Sequence, residues 1–471
     1  MDIALQVRDL SFRYPSYRGL KARALFRGLN LQLARGEICL LLGRSESGKS
    51  TLFRILAGLA PRFSGGRLSG RVILEGEDMA AVPPFGRLGR IGMVFQNPSE
   101  QLFTSRCENE LAFALESLGL SRAEMQRRVG DALAWMDIQA FKDRDPATLS
   151  GGEKKKLLLA CLKAVDPAVW LLDETFEELD DAARRSLLAR LRQSGATVLI
   201  GSARWHEAFA GFVDRSLLLD AGRLQVLEAP PGSSAFARLL RANGFVAAGR
   251  PLRGRKGSPL IEAEGLDFRY GGESGFALRI ERFEVPRGGV VAVVGDNGSG
   301  KSTLARLLCG LLEAQSGEVR IERDGRRRPA DKEQLGRFSA YVFQDPDLQI
   351  FLPTVEEELA YGLRLAGLAP SETARRVKEV IERFRLPGRR CPPALMSYGA
   401  RKRLQAATYY LLDKRLVIFD EGDSGLDAGE FIRLIRLFHA PQRGLIVITH
   451  DQRLAEHVAG AVVRLEEGRI A

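Results

Sequence analysis

The chain has 471 residues, 45% apolar and 27% charged, an ordinary balance for a soluble globular protein of two or three domains. Its apolar runs reach only five to seven residues, against about 20 for a bilayer-spanning helix, so a membrane-spanning role is excluded. Seventy Lys and Arg against 59 Asp and Glu give a net charge of +11, which permits nucleic acid, an anionic membrane face or a nucleotide as partner and selects none of them.

In chain order, Met1-Asp-Ile-Ala-Leu5 lacks the basic and apolar regions of a secretory signal. Five cysteines (Cys39, Cys107, Cys161, Cys309, Cys391) form no C-x-x-C pair, so reduced, mostly buried thiols are expected rather than a metal site. Leu5 to Tyr14 alternates like an antiparallel strand. The apolar run Ile38–Leu42 then leads into Gly43-Arg44-Ser45-Glu46-Ser47-Gly48-Lys49-Ser50-Thr51, which matches the phosphate-binding loop G-x-x-x-x-G-K-[ST]. Glycines let backbone N–H groups close on phosphates, and the following helix adds a partial positive charge. Lys49 supplies a full charge and Ser50 a hydroxyl for Mg²⁺. Next come a glutamine, Gln96, in Val94-Phe-Gln-Asn-Pro98, and a helical insert including Glu110–Leu115. Leu149-Ser150-Gly151-Gly152-Glu153 follows, and then Val169-Trp-Leu-Leu-Asp173-Glu174.

The breaker Ala229–Ser234, a helical piece Phe236–Leu240 and a basic Gly/Pro stretch to Pro259 read as a joint. The same landmarks then return. Val290–Val294 precedes Gly295-Asp296-Asn297-Gly298-Ser299-Gly300-Lys301-Ser302-Thr303, and Gln344 lies in Val342-Phe-Gln-Asp-Pro346. The second insert includes Ala374–Ile381, Ser397 lies in Met396-Ser-Tyr-Gly-Ala400, and an apolar strand ends in Asp420-Glu421. Lys49 and Lys301 are 252 residues apart, Gln96 and Gln344 248, and Glu174 and Glu421 247. One order at nearly one offset means duplicated domains. Expected boundaries are 1–228, a linker at 229–259, and 260–471. The closing alternation of strand and amphipathic helix in each half predicts a parallel α/β sheet.

This order of motifs, found twice and covering nearly the whole chain, resembles the ATP-binding cassette (ABC) ATPases. The resemblance implies tandem P-loop domains, each an α/β core with an antiparallel β subdomain and an α-helical signature subdomain. It implies ATP and Mg²⁺, with Asp173 and Asp420 holding the metal with Ser50, Ser302, Gln96 and Gln344. Glu174 and Glu421 are expected to orient or deprotonate water, and His450 in Ile448-Thr-His-Asp451 resembles the γ-phosphate switch histidine. Lys301 is expected to serve catalysis as well as binding. Tyr14 and Tyr270 resemble the aromatic that stacks on adenine, with a strand-edge core tyrosine as the alternative. The resemblance also implies domains paired head to tail, each ATP lying between one phosphate loop and the other half's signature residues. Ser150, Gly151, Gly152 and Glu153 would then complete the Lys301 site, and Ser397 the Lys49 site. Departures cluster in the latter. Glu46 stands where the other half has Gly298, Ser202 stands where it has His450, and Tyr398 and Ala400 replace Gly151 and Glu153. The expectation is a competent Lys301 site and a degenerate Lys49 site. Glu174-Thr-Phe-Glu-Glu-Leu-Asp180 also departs from the family's loop.

The stretches Phe95-Gln-Asn-Pro-Ser-Glu-Gln-Leu-Phe103 and Phe343–Glu358 resemble energy-coupling factor (ECF) importer ATPases. There the segment forms a small helix beside the groove that accepts a transmembrane subunit. That implies vitamin, vitamin-precursor or Ni/Co uptake, a peripheral position on the cytoplasmic membrane face, separate integral-membrane coupling and substrate-binding subunits, and no nucleic acid. Glu356, Glu357 and Glu358 either meet basic partner residues or form a solvated acidic turn. The alternatives are a soluble cassette protein of the ribosome or nucleic acid, which the charge suits, and a fused sugar-importer ATPase. The short, Gly/Pro-bearing joint, not helical throughout, and the damaged second signature speak against the first; the intact second loop and the Gln-Leu-Phe stretch speak against the second.

Overall fold

The computed structural model describes residues 2–16, 24–177, 179, 181–245, 251–253, 259–271 and 276–471. Asp180 and parts of the expected linker lie outside the described residues. The chain divides into two compact units, the first ending at Phe245 and the second at Ala471.

Each unit is a layered α/β domain, as the alternation of elements predicted. In the first, Ile38–Leu42 lies inside a six-stranded sheet, in the order Arg223–Val226, Arg215–Asp220, Ile38–Leu42, Thr197–Ser202, Val169–Asp173, Ile91–Val94. All of its neighbouring pairs are parallel except the edge pair Arg223–Val226 with Arg215–Asp220. The second unit repeats this with Ser339–Val342, Leu416–Asp420, Gly444–Ile448, Val290–Val294, Ala461–Glu466 and Arg469–Ile470. Unbroken apolar runs are what a strand covered on both faces requires. The two-residue period then deals alternate side chains to two cores. Ile38, Leu40 and Leu42 pack with the helices, while Cys39 and Leu41 pack with the antiparallel strands. Val290, Ala292 and Val294 are likewise separated from Val291 and Val293.

A four-stranded antiparallel sheet flanks each core, built on Ile3–Arg13 and on Pro259–Arg269. The helical inserts are Cys107–Glu116 with Arg122–Trp135, and Val355–Leu365 with Pro370–Arg383. They lead to the signature helices Gly151–Val165 and Tyr398–Leu411.

Ser234–Ala242, read in the sequence as part of the linker, is a helix seated on the first unit. Ser233 Oγ caps it by accepting from the Phe236 N–H at 3.1 Å. Phe236 and Leu240, four residues apart, bury one stripe, and the Phe236 ring meets Trp205 edge-on at 4.6 Å. Leu252 joins the second unit, donating to Val458 O at 3.1 Å and accepting from the Val290 N–H at 3.2 Å. The five cysteines are unpaired and four are buried; burial pushes the Cys39 thiol up to about 12. Among the described residues no helix is long and apolar enough to cross a membrane.

Candidate nucleotide site

Both glycine loops join the C-terminal end of an interior strand to a helix, Lys49–Leu56 or Lys301–Leu308. Neither helix carries a side-chain N-cap, so no side chain takes its first-turn N–H groups, an arrangement suited to an anion. Gly295 has φ 150°, and a Cβ there would lie 2.2 Å from Leu465 O, so only glycine fits. Ser47 Oγ and Ser299 Oγ are buried in the loops without partners. The lysines fold back over their loops. Lys49 Nζ donates to Gly43 O at 2.7 Å, and Lys301 Nζ to Gly295 O and Asp296 O at 2.8 Å each.

Sheet register brings the acidic pairs to the same ends. Asp173 sits opposite Gly201, and Leu42 opposite Ser202; Asp420 and Val293 both pair with Ile448. The next residues, Glu174 and Glu421, turn left-handed with φ 48° and 46°, and their N–H groups donate to Gly201 O and Ile448 O. That turn swings the glutamate carboxylate away from the strand. Gln344 Nε2 donates to Glu421 Oε2 at 2.7 Å, and His450 Nε2 lies 2.8 Å from Glu421 Oε1. Gln96 Nε2 meets Glu174 Oε2 at the same 2.7 Å. Burial, helped by the Glu174 charge, raises the Asp173 carboxyl to about 6, while Ser50 and Lys49 pull the other way. Burial and the Glu421 charge raise Asp420 against hydrogen bonds from Tyr341 and Ser302.

Glu174 Oε1 forms a buried ion pair with Lys49 Nζ at 3.2 Å. The halves differ where the sequence departs. Ser202 does not reach Glu174. Its Oγ lies 2.7 Å from Glu177 Oε1 and accepts the Arg204 N–H at 3.1 Å. Burial works against ionisation of Glu177, but His206 and Arg204 beside it outweigh that and hold its carboxyl well below the usual range. The altered loop thus supplies a carboxylate partner for the serine that stands where the other half has its histidine. Glu46 carries φ 64° where Gly298 carries φ 82°, so a side chain occupies a backbone state that favours glycine.

Ser150 caps its signature helix through a reciprocal capping box with Glu153. Glu153 also pairs with Arg144 at 3.1 Å, so its carboxylate is committed within its own unit. Ser397 caps the other helix, accepting from the Ala400 N–H at 3.1 Å, with no acid to reciprocate. The Tyr398 hydroxyl donates to Gln344 O at 3.1 Å, so the ring folds onto its own glutamine loop. Tyr14 Oη lies 3.0 Å from Thr51 Oγ1, and each tyrosine meets a phenylalanine edge-on at 4.8 Å, Tyr14 with Phe12 and Tyr270 with Phe268.

The ABC transporter family profile matches residues 26–177 and 278–424. This chain belongs to the ABC transporter family. It is a tandem ABC ATPase, two ATPase domains fused in one polypeptide. A Methanosarcina mazei protein described as an ABC transporter ATP-binding protein is 32% identical over 99% of this chain and 94% of its own length. A Treponema denticola protein of the same description is 30% identical over 99% and 96%. The archaeal ribosome recycling factor aABCE1, in complex with ribosomal stalk protein aP1, superposes with a TM-score of 0.59. It is 19% identical over 98% of this chain and 89% of its own, a likeness of fold.

The family uses ATP with Mg²⁺, and these sites suit that metal. Asp173 Oδ1 is buried without a partner beside the Ser50 hydroxyl. One carboxylate and a hydroxyl, rather than an all-protein cage, fit a cation that keeps waters and phosphate oxygens. No cluster of three acidic, His or Cys ligands occurs among the described residues. A cavity of about 560 Å³ opens instead between the ends of three helices of the second unit. Its Arg443 caps Phe438 O and Lys414 O, and its Arg375 pairs with Glu372 and Glu379.

Two buried glutamates, Glu110 and Glu358, hold the loops that precede their helices. Glu110 Oε2 accepts from Phe103 N and Thr104 N, and Glu358 Oε2 from Phe351 N and Leu352 N. Both glutamates are buried. Glu358 therefore holds the preceding loop rather than standing in water, and Glu356 pairs with Arg389. Recurrence of a glutamate 248 residues apart in the two halves was the available signal.

Proposed function

We propose that this tandem ABC ATPase is the energy-coupling subunit of an ECF-type importer, docking separate integral-membrane subunits and hydrolysing ATP at the site built on Lys301, Glu421 and His450. One repeated surface feature carries the docking half of this reading. Phe103 is 65% exposed and meets exposed Phe113 edge-on at 4.8 Å; Phe351 is 66% exposed and meets Tyr361 at 5.4 Å. Each pair stands just after the glutamine loop, braced from beneath by Glu110 or Glu358. Water-exposed aromatic pairs held rigid in both halves suit apolar helices of a partner. Leu348 and Leu365 of the second half are exposed as well.

In hydrolysis, the water oxygen bonds to the γ-phosphorus as the bond to the ADP oxygen breaks, and the water proton passes to Glu421. His450 and Gln344 fix the accepting carboxylate. Mg²⁺, held by Asp420 and Ser302, would neutralise phosphate charge. In the first half Ser202 turns to Glu177 and gives Glu174 nothing like the His450 contact of Glu421, so that site binds ATP and turns over slowly. A ribosome-bound ATPase, which the net charge of +11 also suits, is the alternative that the experiment below separates.

Tagged native chain is purified from membranes alongside the Phe103→Ala/Phe351→Ala double variant. The expected result is co-purified integral-membrane subunits with the wild type and at least roughly a tenfold loss with the variant. Salt-sensitive sedimentation with ribosomes and no membrane subunit would sink the importer reading.

A further inference from the structure

Three side chains of the helix Tyr398–Leu411 stand at i, i+4 and i+7 and so share one stripe. All three donate to backbone carbonyls of the catalytic region. The Tyr398 hydroxyl reaches Gln344 O at 3.1 Å, and Gln405 Nε2 reaches Phe343 O at 3.1 Å. Lys402 Nζ reaches both Phe343 O and Glu421 O at 3.3 Å. Lys402 is 1% exposed and Gln405 0%. A lysine is almost never fully buried unless something specific holds it. Lys155, at the matching place in the first half, is also 1% exposed and donates to Glu174 O at 3.3 Å. There the other two positions are Gly151 and Leu158, which have no side-chain donor. The full set of donors exists only in the half that keeps the switch histidine.

We propose that Lys402, with Tyr398 and Gln405, is a positioning clamp that fixes the Glu421 turn and the glutamine loop to the helix headed by Ser397. Glu421 is a non-glycine residue at φ 46°, a state that persists only where its surroundings hold it. The Lys402 ammonium grips the carbonyl of that residue. The side chain is thereby aimed at His450 and Gln344. The same ammonium grips Phe343, one residue before Gln344, so movement of the signature helix reaches the proton acceptor and the docking loop together. Burial pushes the ammonium down to about 8, and the carboxylates of Asp423, Glu421 and Asp420 pull the other way. The clamp rests on the reading of Glu421 as proton acceptor.

Full-length wild type, Lys402→Met, Lys402→Gln and Glu421→Gln are compared by steady-state phosphate release over a range of Mg·ATP, with circular dichroism and thermal melts. Glu421→Gln is expected to lose roughly 100-fold or more in kcat. Lys402→Met is expected to lose roughly 30-fold in kcat with KM changed less than about threefold. Lys402→Gln, which keeps an N–H donor, is expected to regain roughly tenfold of that loss, a rescue that packing alone does not give. A folded Lys402→Met within about threefold of wild-type kcat, or a loss confined to KM, overturns the clamp while leaving the role of Glu421 standing. So does Lys402→Gln being no better than Lys402→Met. Wild-type kcat in Glu421→Gln overturns both. If Lys402→Met does not fold, Tyr398→Phe decides. A kcat loss of roughly threefold at unchanged KM supports the clamp, and no loss refutes it.

Discussion

Replacing Glu421 by glutamine keeps the shape of the side chain and removes its charge. In the native arrangement one carboxylate oxygen accepts from Gln344 at 2.7 Å and the other faces His450 at 2.8 Å. The amide cannot take the water proton, and one of its ends must present N–H where an acceptor stood. Positioned proton transfer is worth about 10²–10⁴ in rate, which at 1.36 kcal/mol per decade is about 3–5 kcal/mol of barrier. The matching Glu174→Gln change removes the charge paired with Lys49 at 3.2 Å and leaves an amide beside Gln96. It is expected to change kcat by less than about threefold and to tighten ATP binding modestly, because binding no longer breaks a buried ion pair. Phosphate release at saturating Mg·ATP, with equilibrium binding of a fluorescent ATP analogue, measures both. An inactive Glu174→Gln beside an active Glu421→Gln would refute the assignment of the working site.

Three further outcomes follow from the structure. Asp173→Asn tests the buried metal-site carboxyl. With a folded value of about 6 above the usual 3.8, the wild-type contribution is full below pH 3.8 and lost as pH rises through 6. Metal-free Asp173→Asn is therefore more stable than wild type at pH 8 by up to about 3 kcal/mol, and denaturant titration shows the gain fading by pH 4. Glu46→Gly relieves a left-handed residue at some entropic cost, so thermal melts show the first unit gaining about 1 kcal/mol, or roughly 2–4 °C. Phe236→Ala empties a core position packed on Trp205, and costs the first unit about 3–5 kcal/mol, read as a fall of roughly 6–20 °C in its melting transition.

The sequence alone settled the repeat, the strands and the glycine loops. Those features are local: an unbroken apolar run such as Val290–Val294 reports burial on both faces, and Gly-x-x-x-x-Gly-Lys-Ser reports a backbone bend. It also located the departures, Glu46, Ser202 and Tyr398, by comparing one half with the other. What the departing groups touch was decided only by the tertiary structure. Tyr398 binds Gln344 through its hydroxyl, a contact the sequence does not show. Ser202 turned to Glu177, giving the unusual loop a partner. Lys402, silent in the sequence, lies under Glu421, and Glu358 holds a loop rather than facing water. Periodicity encodes which side chains leave water. It does not encode which buried donor meets which acceptor, because sheet register and helix packing bring such groups together from distant parts of the chain.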